Sequence, residues 1–154
     1  MYQQQVRFLR EDFLPLLKKL DSSAKGNWGV MHGQEMVEHF TYSVRIASGR
    51  LKFQQVNEGP VLEKTRAFLV SDREFRENTR NPMLGEVPPL LTKPDMAAAI
   101  AELKEELDYF FEIFERDPEL TTHNPLFGNL DYAMNLQLLS KHARHHLRQF
   151  GLLE

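Results

Sequence analysis

The sequence has 154 residues, with 19 Lys and Arg against 22 Asp and Glu and a formal net charge of −3. This length fits a single domain over residues 1–154, and the slight acidic excess gives no reason to expect a nucleic-acid partner. The absence of cysteine excludes disulfides and Cys-ligated metal sites, and no apolar run approaches the roughly 20 residues of a membrane span.

The N-terminal part predicts a helix with an interruption. Residues 1–5 lack the basic and apolar regions of a signal peptide, so we expect a cytoplasmic protein with no membrane partner. Apolar residues then recur at steps of three and four over residues 6–20, as on one face of a helix. Pro15 falls within this pattern, so either the helix kinks there or a second helix begins near it.

The second main helix is predicted over residues 33–48. His32 and Glu35 have the spacing of a capping box at its start, and Gly49 suits its end. Its apolar stripe consists of Met36, Val37, Phe40, Val44 and Ala47. A short helix is then predicted over residues 61–70, after Gly59 and Pro60.

A long proline-rich loop is predicted over residues 71–94. This stretch holds four of the eight prolines and shows little periodicity. We expect it to be ordered, because six apolar residues offer anchors: Phe75, Met83, Leu84, Val87, Leu90 and Leu91. Loops of this length are often functional, and this one would influence specificity if it covered a pocket.

Two long helices are predicted in the C-terminal half. The first covers residues 95–117, capped by Asp95, and the second covers residues 131–150, capped by Asp131. Between them, residues 121–128 form a predicted turn. Because no stretch is a convincing strand, the expected fold class is all-α, a four-helix bundle with the proline-rich loop between its second and third main helices.

Two of the six histidines have the spacing of metal ligands. His142 and His146 lie one helical turn apart, so their ring nitrogens can share one metal ion. By the helical period, His146 lies about 40° and His142 about 80° from the centre of the helix's apolar face. His145 lies about 140° away, toward solvent, which makes it the poorer ligand.

A basic, solvated helix end is the alternative interpretation of this region, and Lys141, Arg144, His145 and Arg148 fit it.

His39 lies about 110° from the centre of its helix's apolar stripe. Such a border histidine is more often a surface residue than a ligand, although helix bundles commonly bind metals between facing helices. His32 is interpreted as a cap and His123 as an exposed turn residue. Glu38 fits either a pocket near His39 or a solvated position.

Several stretches of the sequence match the pattern of one known family. They are Asn-Trp-Gly-Val-Met at 27–31, Gln-Glu-Met-Val-Glu-His-Phe at 34–40, Asn-Pro-Leu-Phe-Gly-Asn-Leu at 124–130 and Lys-His-Ala-Arg-His-His-Leu-Arg-Gln-Phe at 141–150. In order and separation they resemble the DinB/YfiT-like superfamily. The resemblance extends from about residue 16 to the end of the chain.

This resemblance implies a four-helix bundle that binds a divalent metal, often zinc or nickel, through three histidines. Carried over, these are His39, His142 and His146. It also implies a homodimer and a small-molecule substrate, because relatives include metal hydrolases, a maleylpyruvate isomerase and transferases that use low-molecular-weight thiols. We therefore expect a metal-dependent hydrolase or thiol transferase without an assigned general base, and Gln149 is a candidate partner of a ligand.

The sequence also departs from that family. Asn124 stands where relatives often have His. Residues 132–135, Tyr-Ala-Met-Asn, stand where relatives often have a Trp early in the last helix. His32 stands where relatives usually have a Ser-like or Thr-like cap. None of these changes affects the three histidines, but they prevent a direct transfer of substrate from any relative. The alternative function is a non-catalytic helical bundle that binds a ligand or a partner and carries a structural or vestigial metal site.

Overall fold

The computed structural model describes residues 2–78 and 87–154, which are mostly helical. The helical elements are α1 (Gln3–Arg7), a π-helical turn (Phe8–Asp12), α2 (Phe13–Leu17), α3 (Gly33–Ser48), α4 (Gly59–Val70), α5 (Met96–Arg116) and α6 (Tyr132–Gln149). Two short strands, β1 (Thr122–Asn124) and β2 (Gly128–Leu130), lie between α5 and α6. In the described ranges, no helix combines the length and apolar character needed to cross a membrane.

The N-terminal helix runs through Pro15 and is widened just before it. The Phe13 N–H donates to the carbonyl of Phe8, five residues back, which defines a π-helical turn. In a regular helix the ring of Pro15 would clash with the carbonyl of Glu11, four residues back. The wide turn contains Glu11, so the proline is accommodated by a local distortion, and α2 begins at Phe13 as a continuation of the same helical backbone.

The boundaries of α3, α4, α5 and α6 lie within two residues of those predicted, and local hydrogen bonds define the starts of α3, α5 and α6. The Glu35 carboxylate accepts from the His32 backbone N–H at 2.7 Å, at the start of α3. Asp95 and Asp131 cap α5 and α6 by accepting, at 2.8 and 2.9 Å, from the backbone N–H three residues ahead. These caps position α3 and α6, the two helices that carry the histidines of interest.

The main apolar core joins the N-terminal helix to α3, α5 and α6. Its most deeply buried large members are Leu9, Phe13, Leu17, Met36, Phe40, Leu103, Phe110, Leu136 and Leu139. The Phe13 and Phe40 rings pack edge to face with centroids 4.8 Å apart. Each such buried side chain contributes roughly 1.5–3 kcal/mol of hydrophobic stabilisation. The core therefore holds α3 and α6 firmly beside each other.

A β-hairpin occupies the stretch predicted as a plain turn, so the expectation of no strand was wrong. β1 and β2 pair antiparallel, with Asn124 opposite Gly128. The Asn124 side-chain oxygen accepts from the N–H groups of Leu126 and Phe127, and Gly128 has a φ of +80° that favours glycine. Strands of three residues are too short to show the alternation that identifies a strand in sequence.

Of the four predicted apolar anchors of the proline-rich loop that lie in the described residues, three are wrong. Val87, Leu90 and Leu91 are 78%, 93% and 49% exposed, while Met83 and Leu84 lie outside the described residues. Phe75 does pack inward, in a second apolar cluster built from Leu69, Phe127, Leu130 and Leu138. The described ends of the loop are instead held by polar contacts with α3 and α6.

Candidate metal centre

Three imidazole rings from two helices meet at one point. Nε2 of His142 lies 3.2 Å from Nε2 of His39 and 2.8 Å from Nε2 of His146. One ring nitrogen from each of the three residues lies within 4.8 Å of the other two. His39 and His146 are 7% and 4% exposed, and His142 is partly buried. The structure thus brings His39 on α3 together with the pair on α6.

The separations between these nitrogens fit a shared cation. Two nitrogens bound to one zinc ion at about 2.0–2.1 Å lie about 2.9 Å apart at a right angle and about 3.4 Å apart at a tetrahedral angle. The two observed Nε2–Nε2 distances, 2.8 and 3.2 Å, lie at or close to this range. Three neutral imidazoles are also a donor set that zinc and nickel both accept. This group could therefore hold a metal ion.

Gln149 fixes the orientation of one of these rings. Its side-chain oxygen lies 2.7 Å from Nδ1 of His146, and its Nε2 donates to the Trp28 carbonyl at 2.8 Å. Since the amide oxygen can only accept, Nδ1 of His146 carries the proton and Nε2 keeps its lone pair. Gln149 thus holds His146 in the tautomer that a metal requires.

Burial keeps the three histidines neutral. It lowers the pKa of His39 to about 4, with a smaller effect from nearby His145. Burial lowers the pKa of both His142 and His146 well below their usual value, and the neighbouring imidazoles add to this. Neutral imidazole is the form that binds metal, so all three rings are ready to act as ligands near neutral pH.

The three rings line a large cavity of about 1480 Å³. Trp28 and Gln149 lie on its wall near the rings, and further lining residues come from α3, residues 51–57, α4, the hairpin and α6. Phe75 and Pro88 bring the two described ends of the proline-rich loop to this wall, as the sequence interpretation allowed. A small molecule in the cavity would therefore reach the histidines directly.

The interpretation of the α6 end as basic and solvated is wrong for two residues. Lys141 is fully buried, and its ammonium donates to the carbonyls of Ser71 and Arg73. His145 is only 8% exposed, with the rings of Trp28 and Phe75 at 5.5 and 5.8 Å from its own. The helical period considers α6 alone, whereas segments distant in sequence cover this side of the helix.

The other two charged residues of this end are paired. Glu74 accepts from both Arg144 and Arg148, with the closest contacts at 2.9 and 3.0 Å. Together with Lys141, these pairs fasten residues 71–74 along α6, directly beside the histidines. The covering of α6 was missed because no local pattern in the sequence links residues some 70 positions apart.

The remaining candidates lie away from the three rings. Glu38 is buried and accepts from the backbone N–H and the hydroxyl of Thr92, both at 2.7 Å. Burial alone would raise the pKa of Glu38, but hydrogen bonds from Thr92 and Gln34 lower it below the usual value. Glu38 is thus a carboxylate that holds the proline-rich loop.

His32 lies at the start of α3, as predicted. His123 is partly buried in β1, so its predicted place in an exposed turn was wrong.

Comparisons with protein-family models, with curated proteins and with solved structures found no match to this chain. The family membership inferred from sequence therefore stays a prediction. The chemistry of the site rests on the geometry of its own residues.

Proposed function

We propose that this protein is a divalent-metal-dependent enzyme that binds zinc or nickel through His39, His142 and His146. We further propose that its helices form a four-helix bundle of the DinB/YfiT-like type. The reaction class that best fits is hydrolysis of a small molecule, or transfer of a small thiol to one, inside the cavity. The convergence of three neutral imidazoles at the cavity wall is the observation that carries this proposal.

The number of ligands favours catalysis over a structural metal. Among residues 2–78 and 87–154, the cluster contains three histidines and no fourth Asp or Glu ligand. Structural zinc sites are closed by four protein ligands, whereas catalytic sites use three and leave a position open. A divalent cation bound there would supply a Lewis acid that lowers the pKa of water or of a thiol and polarises a substrate oxygen.

The protein's own side chains have defined tasks in this scheme. The three histidines stay unprotonated because they are buried, and Gln149 keeps the proton of His146 on Nδ1, away from the cation. Trp28 and Phe75 shield the adjacent His145 from solvent. The apolar side chains of the cavity wall would contact the bound substrate.

Metal content measured by mass spectrometry on purified protein tests the proposal. We expect about one equivalent of zinc or nickel per chain in the wild type. His142→Ala should lose most of it, while His123→Ala, altered on the hairpin away from the cluster, should retain it. Equal metal in the wild type and in His142→Ala would show that the ligand assignment is wrong.

A further inference from the structure

Part of the cavity wall away from the histidines is apolar. Ile46 follows His39 by seven residues on α3, and Leu138 precedes His142 by four residues on α6, and both line the cavity. At 1.5 Å per residue, these positions lie about 6–10 Å along the helices from the rings. We call this part the apolar arm. Its wall consists of Ile46, Leu51, Phe53, Leu126, Phe127 and Leu138.

The described residues of the wall offer no charged partner to a ligand. Of the residues that line the cavity in the described part of the chain, none is Asp, Glu, Lys or Arg. A charged group in the arm would lose its hydration without gaining a counter-ion, which is costly. A ligand that occupies the arm must therefore place its charge elsewhere or carry none there.

Three polar side chains of the cavity wall, Asn57, Thr65 and Asn124, are engaged by the protein, while Tyr42 and Ser43 line the cavity on α3 between His39 and Ile46. Asn57 donates to the Leu126 carbonyl at 3.1 Å, and the Thr65 hydroxyl donates to the Val61 carbonyl at 2.8 Å. The oxygen of Asn124 accepts from two backbone N–H groups of the hairpin turn. These groups hold the wall in shape, so they are poorly placed to bind a sugar-like or peptide-like ligand.

We propose that the substrate is a small molecule with a largely apolar body and a single polar or singly charged group. The body occupies the apolar arm, and the polar group lies at the three histidines. This inference deepens the proposed function. It rests on that function only for the polar group of the substrate, which lies at the three histidines. It distinguishes such a substrate from a hydrophilic, multiply charged thiol.

Displacement of the uncharged fluorescent probe N-phenyl-1-naphthylamine by linear monocarboxylates, from butanoate to decanoate, tests this assignment on the metal-free protein. Each methylene that enters the arm should strengthen binding about fourfold until the arm is filled. Glutathione, a hydrophilic and multiply charged thiol, should displace the probe far less well than octanoate. A flat series, or tighter binding of glutathione than of octanoate, would overturn the inference.

Matched variants locate the binding site. Phe53 and Val61 are 41% and 56% exposed, so each tolerates Glu, but only Phe53 lines the cavity. Phe53→Glu should weaken octanoate binding at least tenfold, and Val61→Glu should leave it unchanged. Ile46→Phe should shorten the arm, so that decanoate weakens while butanoate keeps its affinity. Equal affinities in Phe53→Glu and Val61→Glu would contradict the assignment.

Adding one equivalent of Ni²⁺ separates this inference from the proposed function. If both hold, the metal tightens every acid of the series by a similar factor, because it acts on the carboxylate. If the metal proposal alone fails, Ni²⁺ has no effect and the chain-length dependence persists. If the substrate inference alone fails, Ni²⁺ binds and the chain length has no effect.

Discussion

The side-chain oxygen of Gln149 lies 2.7 Å from Nδ1 of His146, and the same amide donates to the Trp28 carbonyl. One side chain thus connects a candidate ligand to the segment between α2 and α3. Gly29, next to Trp28, has a φ of +80°, and an added Cβ there would lie 2.9 Å from the Gln149 nitrogen. The backbone of this segment is therefore shaped around Gln149, which places the His146 ring.

Gln149→Leu is expected to weaken metal binding by about 10–100-fold, because His146 loses the acceptor that fixes its tautomer and ring orientation. Gln149→Glu keeps the oxygen that accepts from Nδ1 but loses the donor to the Trp28 carbonyl, so it should lose less affinity than Gln149→Leu. Titration of the metal-free protein with Zn²⁺ against a competing chelator measures both. Gln137→Leu alters a partly buried glutamine of the same helix away from the site and serves as the control. Wild-type affinity in Gln149→Leu would remove Gln149 from the site.

Lys141→Met is expected to destabilise the protein by about 1–3 kcal/mol, because the carbonyls of Ser71 and Arg73 lose a charged donor in a buried position. Met retains most of the apolar stem, so little packing is lost. Urea unfolding of the metal-free protein measures the change without a contribution from ligand binding. Lys64→Met, on the exposed side of α4, should stay within about 0.5 kcal/mol of the wild type. An equal effect of the two substitutions would show that Lys141 does not hold the loop.

The features predictable from sequence are those that depend on neighbours along the chain. The caps at His32, Asp95 and Asp131 involve residues three positions apart, and the pair His142 and His146 lies one turn apart on a single helix. A local pattern contains all the information that such contacts need. His39 differs, since its helical position alone favoured a surface role, and only the family resemblance grouped it with the other two.

The wrong predictions about α6 concern contacts between distant segments. His145 and Lys141 have the helical positions of exposed residues, yet Phe75, Ser71 and Arg73 cover them from about 70 residues away. A helical projection describes one helix in isolation and omits what packs on its outer side. The same limit explains why the apolar arm, formed by α3, α6 and the hairpin turn, had no signature in the sequence.

Glu74→Gln tests the ion pairs that hold residues 71–74 against α6, and its effect on stability should depend on pH. The Glu74 carboxylate accepts from Arg144 and Arg148, and these pairs hold its pKa below the usual value although burial opposes this. At pH 7 the carboxylate is charged in both the folded and the unfolded chain, so the pairs stabilise the folded state. We expect the variant to lose about 1 kcal/mol there, given the partial exposure of all three side chains.

The difference between wild type and Glu74→Gln should shrink as the pH falls below about 4.5. In that range the unfolded chain takes up a proton that the folded carboxylate, with its lowered pKa, still resists, so protonation favours unfolding of the wild type alone. Thermal unfolding of the metal-free protein should show a Tm difference of about 2–4 °C at pH 7 that decreases toward pH 3. Glu63→Gln, on the exposed side of α4, should show no difference at neutral pH. A Tm difference for Glu74→Gln that is constant from pH 7 to pH 3 would mean that the ion pairs with Arg144 and Arg148 are not its source.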